Sequence, residues 1–247
     1  MKLLRLLIWL LLPTGMFAST ALDSARRAQA LLGTEKWSQV IRVENAAPRG
    51  VYPAQVDALV FEEGGLLWIY TAFDGTQSLS QYWNRTETDR HDLAPLLRTI
   101  HPGLVRYSGL TDGTVAGGEG PLPNGCFIES LAALRSRLAH GDPLVRPRLL
   151  SCYVNTPEGL CGHTVLTYET PRGFFLLDPT RSPRPRLMPG KWRENPLALA
   201  AAALGGSRVA RARWVPVDIP AVVTGQLMAQ ANPHRNWPDR TAARAVQ

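Results

Sequence analysis

Residues 148 to 180 contain three runs that read as strands, RLLSCYVN (148–155), HTVLTYET (163–170) and GFFLLDPT (173–180), joined through the turn sequences TPEG and PRG. Connections this short cannot hold a crossover helix, so the three runs must pair antiparallel as a meander. A sheet of this kind needs a layer to cover its apolar face. The run just upstream, CFIESLAALRSRLAHG (126–141), supplies one: Phe127, Ile128, Leu131, Leu134 and Leu138 fall on one helix face, and Gly141 stops the helix.

Other runs repeat this texture. LDSARRAQALLG (22–33) reads as a short helix with Asp23 as N-cap and Gly33 as stop. Strand-like runs follow at WSQVIRVEN (37–45), AQVDALVFEE (54–63), LLWIYTAF (66–73) and TQSLSQYW (76–83), with EEGG and FDGT as turns, the second making a hairpin. HDLAPLLRTI (91–100) returns to helical spacing and ends before Pro102. The glycine-rich stretch SGLTDGTVAGGEGPLPNG (108–125) has no apolar period and reads as a loop and boundary. Near the end, NPLALAAAALGG (195–206) is a helix and RVARARWVPV (208–217) a last strand. The fold class is α+β, and 247 residues with 45% hydrophobic content are enough for a sizeable core. The expected divisions are a leader over 1–21, an N-terminal α+β region over 22–107, a core over 108–227 and a flexible tail over 228–247. The 22–107 region is either a separate domain or an elaboration of the core.

The chain opens with basic Lys2 and Arg5, an apolar run from Leu6 to Leu12, and small residues at Ser19 and Ala21. This is the pattern of a secretory signal peptide cleaved after Ala21. The alternative, an uncleaved anchor, has too short an apolar run for the ~20 residues a bilayer requires. The expectation is a secreted or periplasmic protein with no stable membrane insertion once the signal is removed. Of 27 basic residues, removal of Lys2 and Arg5 leaves 25 against 20 acidic ones, a net charge of +5. The basic residues are scattered or interleaved with proline, as in RSPRPR (181–186), without aromatic platforms beside them, which argues against a nucleic-acid reader. A solvated basic surface attracted to anionic cell-envelope polymers fits better. NRT at 84–86 matches a glycosylation acceptor, relevant only in a eukaryotic secretory route.

Three cysteines, Cys126, Cys152 and Cys161, leave an odd thiol in an exported chain. Cys152 and Cys161 flank a turn on neighbouring strands and are the disulfide candidate if the register sets them opposite each other. Cys126 is then left over, at the N-terminus of its helix, where unpaired amides and the peptide dipoles favour a thiolate. His163, at the start of HTVLTYET, is the candidate proton carrier, and Asp178, at the end of GFFLLD, the group that orients it. A turn at TPRG centred between 170 and 171 would set His163 directly opposite Asp178. A zinc site from Cys126, Cys152, Cys161 and His163 lacks the usual close-paired spacing. His91, His101, His140 and His234 read as surface residues.

The order of NGC opening a helix, GHTVLTYE on one strand and FFLLDPT closing the next resembles the transglutaminase-like branch of the papain-like cysteine enzymes, over roughly residues 120 to 182. That resemblance implies Cys126 as nucleophile, His163 as general base and acid, and Asp178 as orienter, on a fold in which the Cys-bearing helix packs on an antiparallel sheet. The chain departs from many members at Val165, where they carry an aromatic residue. The backbone N–H of Cys126 is the natural first oxyanion donor, with Asn124 or Gln81 as candidates for the second. The implied activity is acyl transfer on a peptide or protein, or on a cell-envelope polymer, with no metal or organic cofactor. Water as acceptor gives a peptidase or amidase, an amine a crosslinking transglutaminase. The alternatives are an idle member of the fold that binds peptides or polymers in its cleft, and a surface interaction protein working through its N-terminal β region. The oligomeric state is not legible.

Overall fold

The computed structural model describes residues 14–34, 36–45, 54–79, 93–94, 97–98, 103–110, 120–157, 159–204, 209–215 and 217–218. Gln81, the 84–86 acceptor, His91, His101, His234 and the tail from 228 lie outside them. The described residues form two antiparallel five-stranded sheets and three helices. The first sheet holds β1 (Ser38–Asn45), β2 (Gln55–Glu63), β3 (Leu66–Thr71), β4 (Gly75–Ser78) and β5 (Leu104–Gly109), in the order β4-β3-β2-β1-β5. The second holds β6 (Val145–Thr156), β7 (Gly159–Thr170), β8 (Gly173–Leu177), β9 (Arg186–Met188) and β10 (Val209–Val215), in the order β10-β6-β7-β8-β9. Helices α1 (Thr14–Leu32) and α2 (Cys126–Ala139) form a layer between the sheets, and α3 (Pro196–Ala203) covers the far side of the second.

Local chemistry accounts for most boundaries. The β2–β3 turn is Gly64–Gly65 with φ of 61° and 69°, the double left-handed conformation that a two-residue hairpin needs. Helix α2 carries Glu129 in its first turn and Arg137 in its last, both favourable to the helix dipole. It ends in a Schellman motif: Gly141 at φ 74° donates to Leu138 O and Asp142 N to Arg137 O, both at 3.0 Å. Helix α3 starts with Asn195 accepting from Ala198 N at 2.9 Å and with Pro196 in its first turn.

A single core joins the regions that the sequence divides at 108–125. Ala25, Ala28 and Leu32 of α1, Leu59, Phe61, Trp68 and Tyr70 of the first sheet, Phe127, Ile128, Leu131 and Leu134 of α2, and Leu149, Leu166 and Tyr168 of the second sheet form one cluster. Phe127 lies between the sheets, its ring centroid 4.6 Å from Trp68 and 6.3 Å from Phe61. Polar groups cross the same boundary. The fully buried carboxylate of Glu63 on β2 accepts from Arg135 of α2 at 2.6 Å and from Asp218 N at 2.6 Å, with Lys36 Nζ at 3.4 Å. The 22–107 region thus contributes to a cluster shared with α2 and the second sheet, beside a cluster of its own around Ile41, Val60 and Leu97.

Several expectations need correction. Helix α1 begins at Thr14, upstream of Asp23, because no proline interrupts the chain after Pro13. It spans the expected cleavage point at Ala21, which is itself buried, and its buried face continues at Ala25, Ala28 and Leu32. Strand β5 runs to Gly109, inside the stretch read as loop; only Leu104 is buried along this edge strand, so it carries no apolar alternation. Strand β9 forms at the end of the proline-rich stretch, Met188 pairing with Phe174. The β7–β8 hairpin closes at Thr170↔Gly173 around Pro171 and Arg172, so its centre falls between 171 and 172. His163 therefore does not lie directly opposite Asp178. Continued by one pair past Leu166↔Leu177, the register sets Asp178 across from Val165, and a two-residue offset keeps the parity of the face.

Candidate active site

The segment entering α2 is held from two sides. Within it, Gly125 N donates to Leu122 O at 3.0 Å, and Leu122 N donates to Glu129 Oε1 at 2.6 Å, tying the entry turn to the helix it starts. A Cβ on Gly125 would stand 2.2 Å from Leu122 Cβ, so this position admits only glycine without rearrangement. From the first sheet, the buried Tyr70 donates its hydroxyl to Pro123 O at 2.7 Å. Asn124, left-handed at φ 51°, donates both Nδ2 hydrogens, to Ala72 O at 2.9 Å and Phe73 O at 2.8 Å. The N-terminal sheet thus grips the turn that presents Cys126. Neither Tyr70 nor this grip was anticipated from sequence.

These bonds correct one expectation: the Asn124 amide is spent on two backbone carbonyls and does not supply an oxyanion donor. The other candidate, Gln81, lies outside the described residues. Cys126 is the first residue of α2, half-buried, and no side chain caps the start of that helix. Its amide is among those left without an intrahelical partner at a helix start.

One turn further on, the fully buried Ser130 donates Oγ to Thr164 O at 3.0 Å, fastening the cysteine helix to the strand beside His163. His163 Nε2 meets Asp178 Oδ2 at 2.7 Å, with both side chains largely buried. Thr180 donates Oγ1 to the other oxygen, Oδ1, at 2.7 Å, and Arg181 N and Ser182 N donate to Asp178 O at 3.1 Å and 2.8 Å. The DPTRS turn thus fixes the Asp178 backbone through two amides and one carboxylate oxygen through Thr180. Thr180 and Ser130 are positioning residues that the sequence reading missed. A hydroxyl two residues after an aspartate is a common local turn signal that could have flagged Thr180, whereas nothing local marks Ser130.

The electrostatics follow from these contacts. Burial opposes charge on the His163 ring, but the hydrogen bond and charge of Asp178, together with the influence of Cys126, outweigh it and raise the ring from 6.5 to about 9. With Nε2 committed to Asp178, Nδ1 is the ring nitrogen left for another partner. Burial pushes Asp178 upward, but the bonds from His163 and Thr180, together with the charges of His163 and Arg181, hold it below its ordinary range.

The remaining thiols do not bridge. Cys126, Cys152 and Cys161 are all free. The register pairs Cys152 with His163 and Cys161 with Val154, so the two candidates sit diagonally rather than opposite. Cys152 is buried with Sγ 3.5 Å from His163 O, while Cys161 is exposed. Burial first, then the charges of Cys126 and Asp178, push the Cys152 thiol up to about 11, which keeps it protonated. No group of three or more His, Cys, Asp or Glu side chains suited to a metal ion occurs among the described residues. His140 is exposed and its Nδ1 lies 2.6 Å from Ser136 O at the end of α2, a surface role as expected.

Comparison with known protein families, with curated proteins and with solved structures finds no match to this chain. The site itself offers a thiol at an uncapped helix start, an imidazole whose charge that thiol influences, and a carboxylate bound to the imidazole.

Proposed function

We propose that this chain is an exported, secreted or periplasmic, cysteine-dependent acyl-transfer enzyme that hydrolyses amide or peptide bonds, built on a transglutaminase-like version of the papain-like fold. The observation that carries the reading is the His163–Asp178 bond at 2.7 Å, on a ring whose protonated form Cys126 also favours. In the proposed reaction the Cys126 sulfur bonds to the carbonyl carbon while the C=O π pair moves onto oxygen, where the Cys126 backbone N–H donates to it. The C–N bond then breaks as His163 Nδ1 gives its proton to the departing amine, leaving a thioester. Water loses a proton to the now neutral His163, its oxygen bonds to the thioester carbon, and the C–S bond breaks to regenerate the sulfur. Asp178 holds the ring and stabilises its charged form throughout.

Iodoacetamide labelling of the folded protein, mapped by peptide mass, tests the reading before any substrate is known. Cys126 should label at least tenfold faster than the exposed Cys161 at pH 6, and His163→Ala should remove that advantage. Equal rates at the two thiols would defeat the enzyme reading and favour an idle binding fold.

A further inference from the structure

The turn that carries Asp178 also carries a cation with little to do. Asp178 has its oxygens engaged by His163 and Thr180, each at 2.7 Å. Arg181 reaches the same carboxylate only through Nε, at 3.5 Å, and its side chain is 61% exposed. A guanidinium presents five N–H donors in a planar fork suited to a carboxylate. Here one of the five makes a long contact, and among the described residues no other carboxylate pairs with it. The two neighbouring arginines differ. Arg186 is committed to the carboxyl end of α3, donating Nη2 to Ala202 O at 3.3 Å and Ala203 O at 3.1 Å. Arg184 is exposed and adds positive charge to the same loop.

A structural account of Arg181 is weak. An exposed ion pair of this kind contributes roughly 0–1 kcal/mol, and Asp178 is already oriented. Its main chain is nevertheless fixed beside the pair, because its own N–H is tied to Asp178 O at 3.1 Å. Its charge is felt within the site, where it favours the ionised forms of both Asp178 and Cys152. The result is a solvent-facing guanidinium with donors to spare beside the His163–Asp178 pair.

We infer that Arg181 is a specificity residue that binds a carboxylate carried by the substrate, selecting acidic peptide segments over neutral ones. The inference rests on the Cys126 reading for the reaction it serves. Arg181 contacts Asp178, which binds the His163 ring that protonates the departing amine in the proposed reaction, so the recognised carboxylate is assigned to the leaving-group side of the scissile bond. An acidic peptide borne on a cell-envelope polymer and a free acidic peptide share this chemistry.

Two isosteric alkylating probes, N-iodoacetyl-glutamate amide and N-iodoacetyl-glutamine amide, differ by one charge and separate the possibilities. At low ionic strength Cys126 should prefer the glutamate probe by at least fivefold over the preference shown by Cys161 in the same sample. In Arg181→Gln that ratio should fall to the Cys161 value, with thermal melting checking that the fold is kept. An unchanged ratio, or an equal slowing of both probes, overturns the inference; the second outcome would make Arg181 a positioning residue for Asp178. Failure of the enzyme reading looks different: Cys126 would then react with the neutral probe no faster than Cys161, while the charge ratio would still report on Arg181. Free acidic peptides and an acidic-peptide polymer, added as competitors of the glutamate probe, distinguish the two sources.

Discussion

At His163 two opposed effects of similar kind are in play, and the charged neighbours win. A rise from 6.5 to about 9 favours the imidazolium by on the order of 3 kcal/mol. Because the folded value is raised, this stabilisation is complete below about 6.5 and is lost as pH climbs through about 9. Asp178 is depressed, so its contribution is present above its ordinary 3.8 and is lost as pH falls through the lower folded value. The site is therefore most stabilising between those limits, and the alkaline loss belongs to His163. Asp178→Asn keeps the shape but removes the charge and the anionic acceptor. The His163 ring resonances, followed by NMR from pH 5 to 10.5, should titrate near 9 in the native protein and at least one pH unit lower in the variant. An unmoved midpoint would mean that the carboxylate does not set the ring's charge. The His163–Asp178 contact was legible because the two residues sit near the ends of paired strands, two positions from direct opposition. Asn124 and the Cys152–Cys161 pairing were misread because the partner of an amide, or the exact register of a thiol, depends on how separate segments meet.

Elements decide how accurately Cys126 is presented. The β3–β4 hairpin holds the entry turn through Tyr70, Ala72 and Phe73, and Gly75 lies so close that a Cβ there would be 2.9 Å from Asn124 O. Tyr70→Phe removes one of these bonds without opening a cavity, at a stability cost of about 1 kcal/mol, which lowers melting by about 2–4 °C for a chain of this size. The effect on presentation should be larger than the effect on stability. Labelling of Cys126 by iodoacetamide should slow at least fivefold, with Cys161 unchanged. If both thiols kept their native rates, the hairpin would be packing material rather than a positioning device. At this scale the sequence made the long elements readable and the short ones invisible. Helix α2 and strand β6 declare themselves by period, whereas β5 and β9 are edge strands with few buried side chains, and the β7–β8 register slipped because either of two adjacent pairs could close the PRG turn.

Across the whole molecule, apolar period tells which face of an element is buried but not which element covers it, and for that reason the glycine-rich 108–125 stretch looked like a domain boundary. The covering surface of α2 comes largely from the first sheet and α1. Phe127 packs on Trp68 and Phe61, Arg135 is neutralised by Glu63, and the Cys126 turn hangs on Tyr70 and the Ala72–Phe73 carbonyls. A fragment of residues 108–227 would keep α2, the second sheet and α3 but lose every one of these partners. Loss of the aromatic packing around Phe127 alone is comparable to a Phe→Ala change in a core, about 3–5 kcal/mol, and a marginal fold has only about 5–15 kcal/mol in total. The fragment should therefore show no cooperative urea transition, should bind the dye ANS, and should label Cys126 no faster than Cys161. A sharp transition with native Cys126 reactivity would establish residues 108–227 as a self-sufficient catalytic unit and reduce the first sheet to an appendage. Adding residues 22–107 back in trans distinguishes the two, since recovery of fast Cys126 labelling only in the mixture requires that the site be completed by the N-terminal sheet.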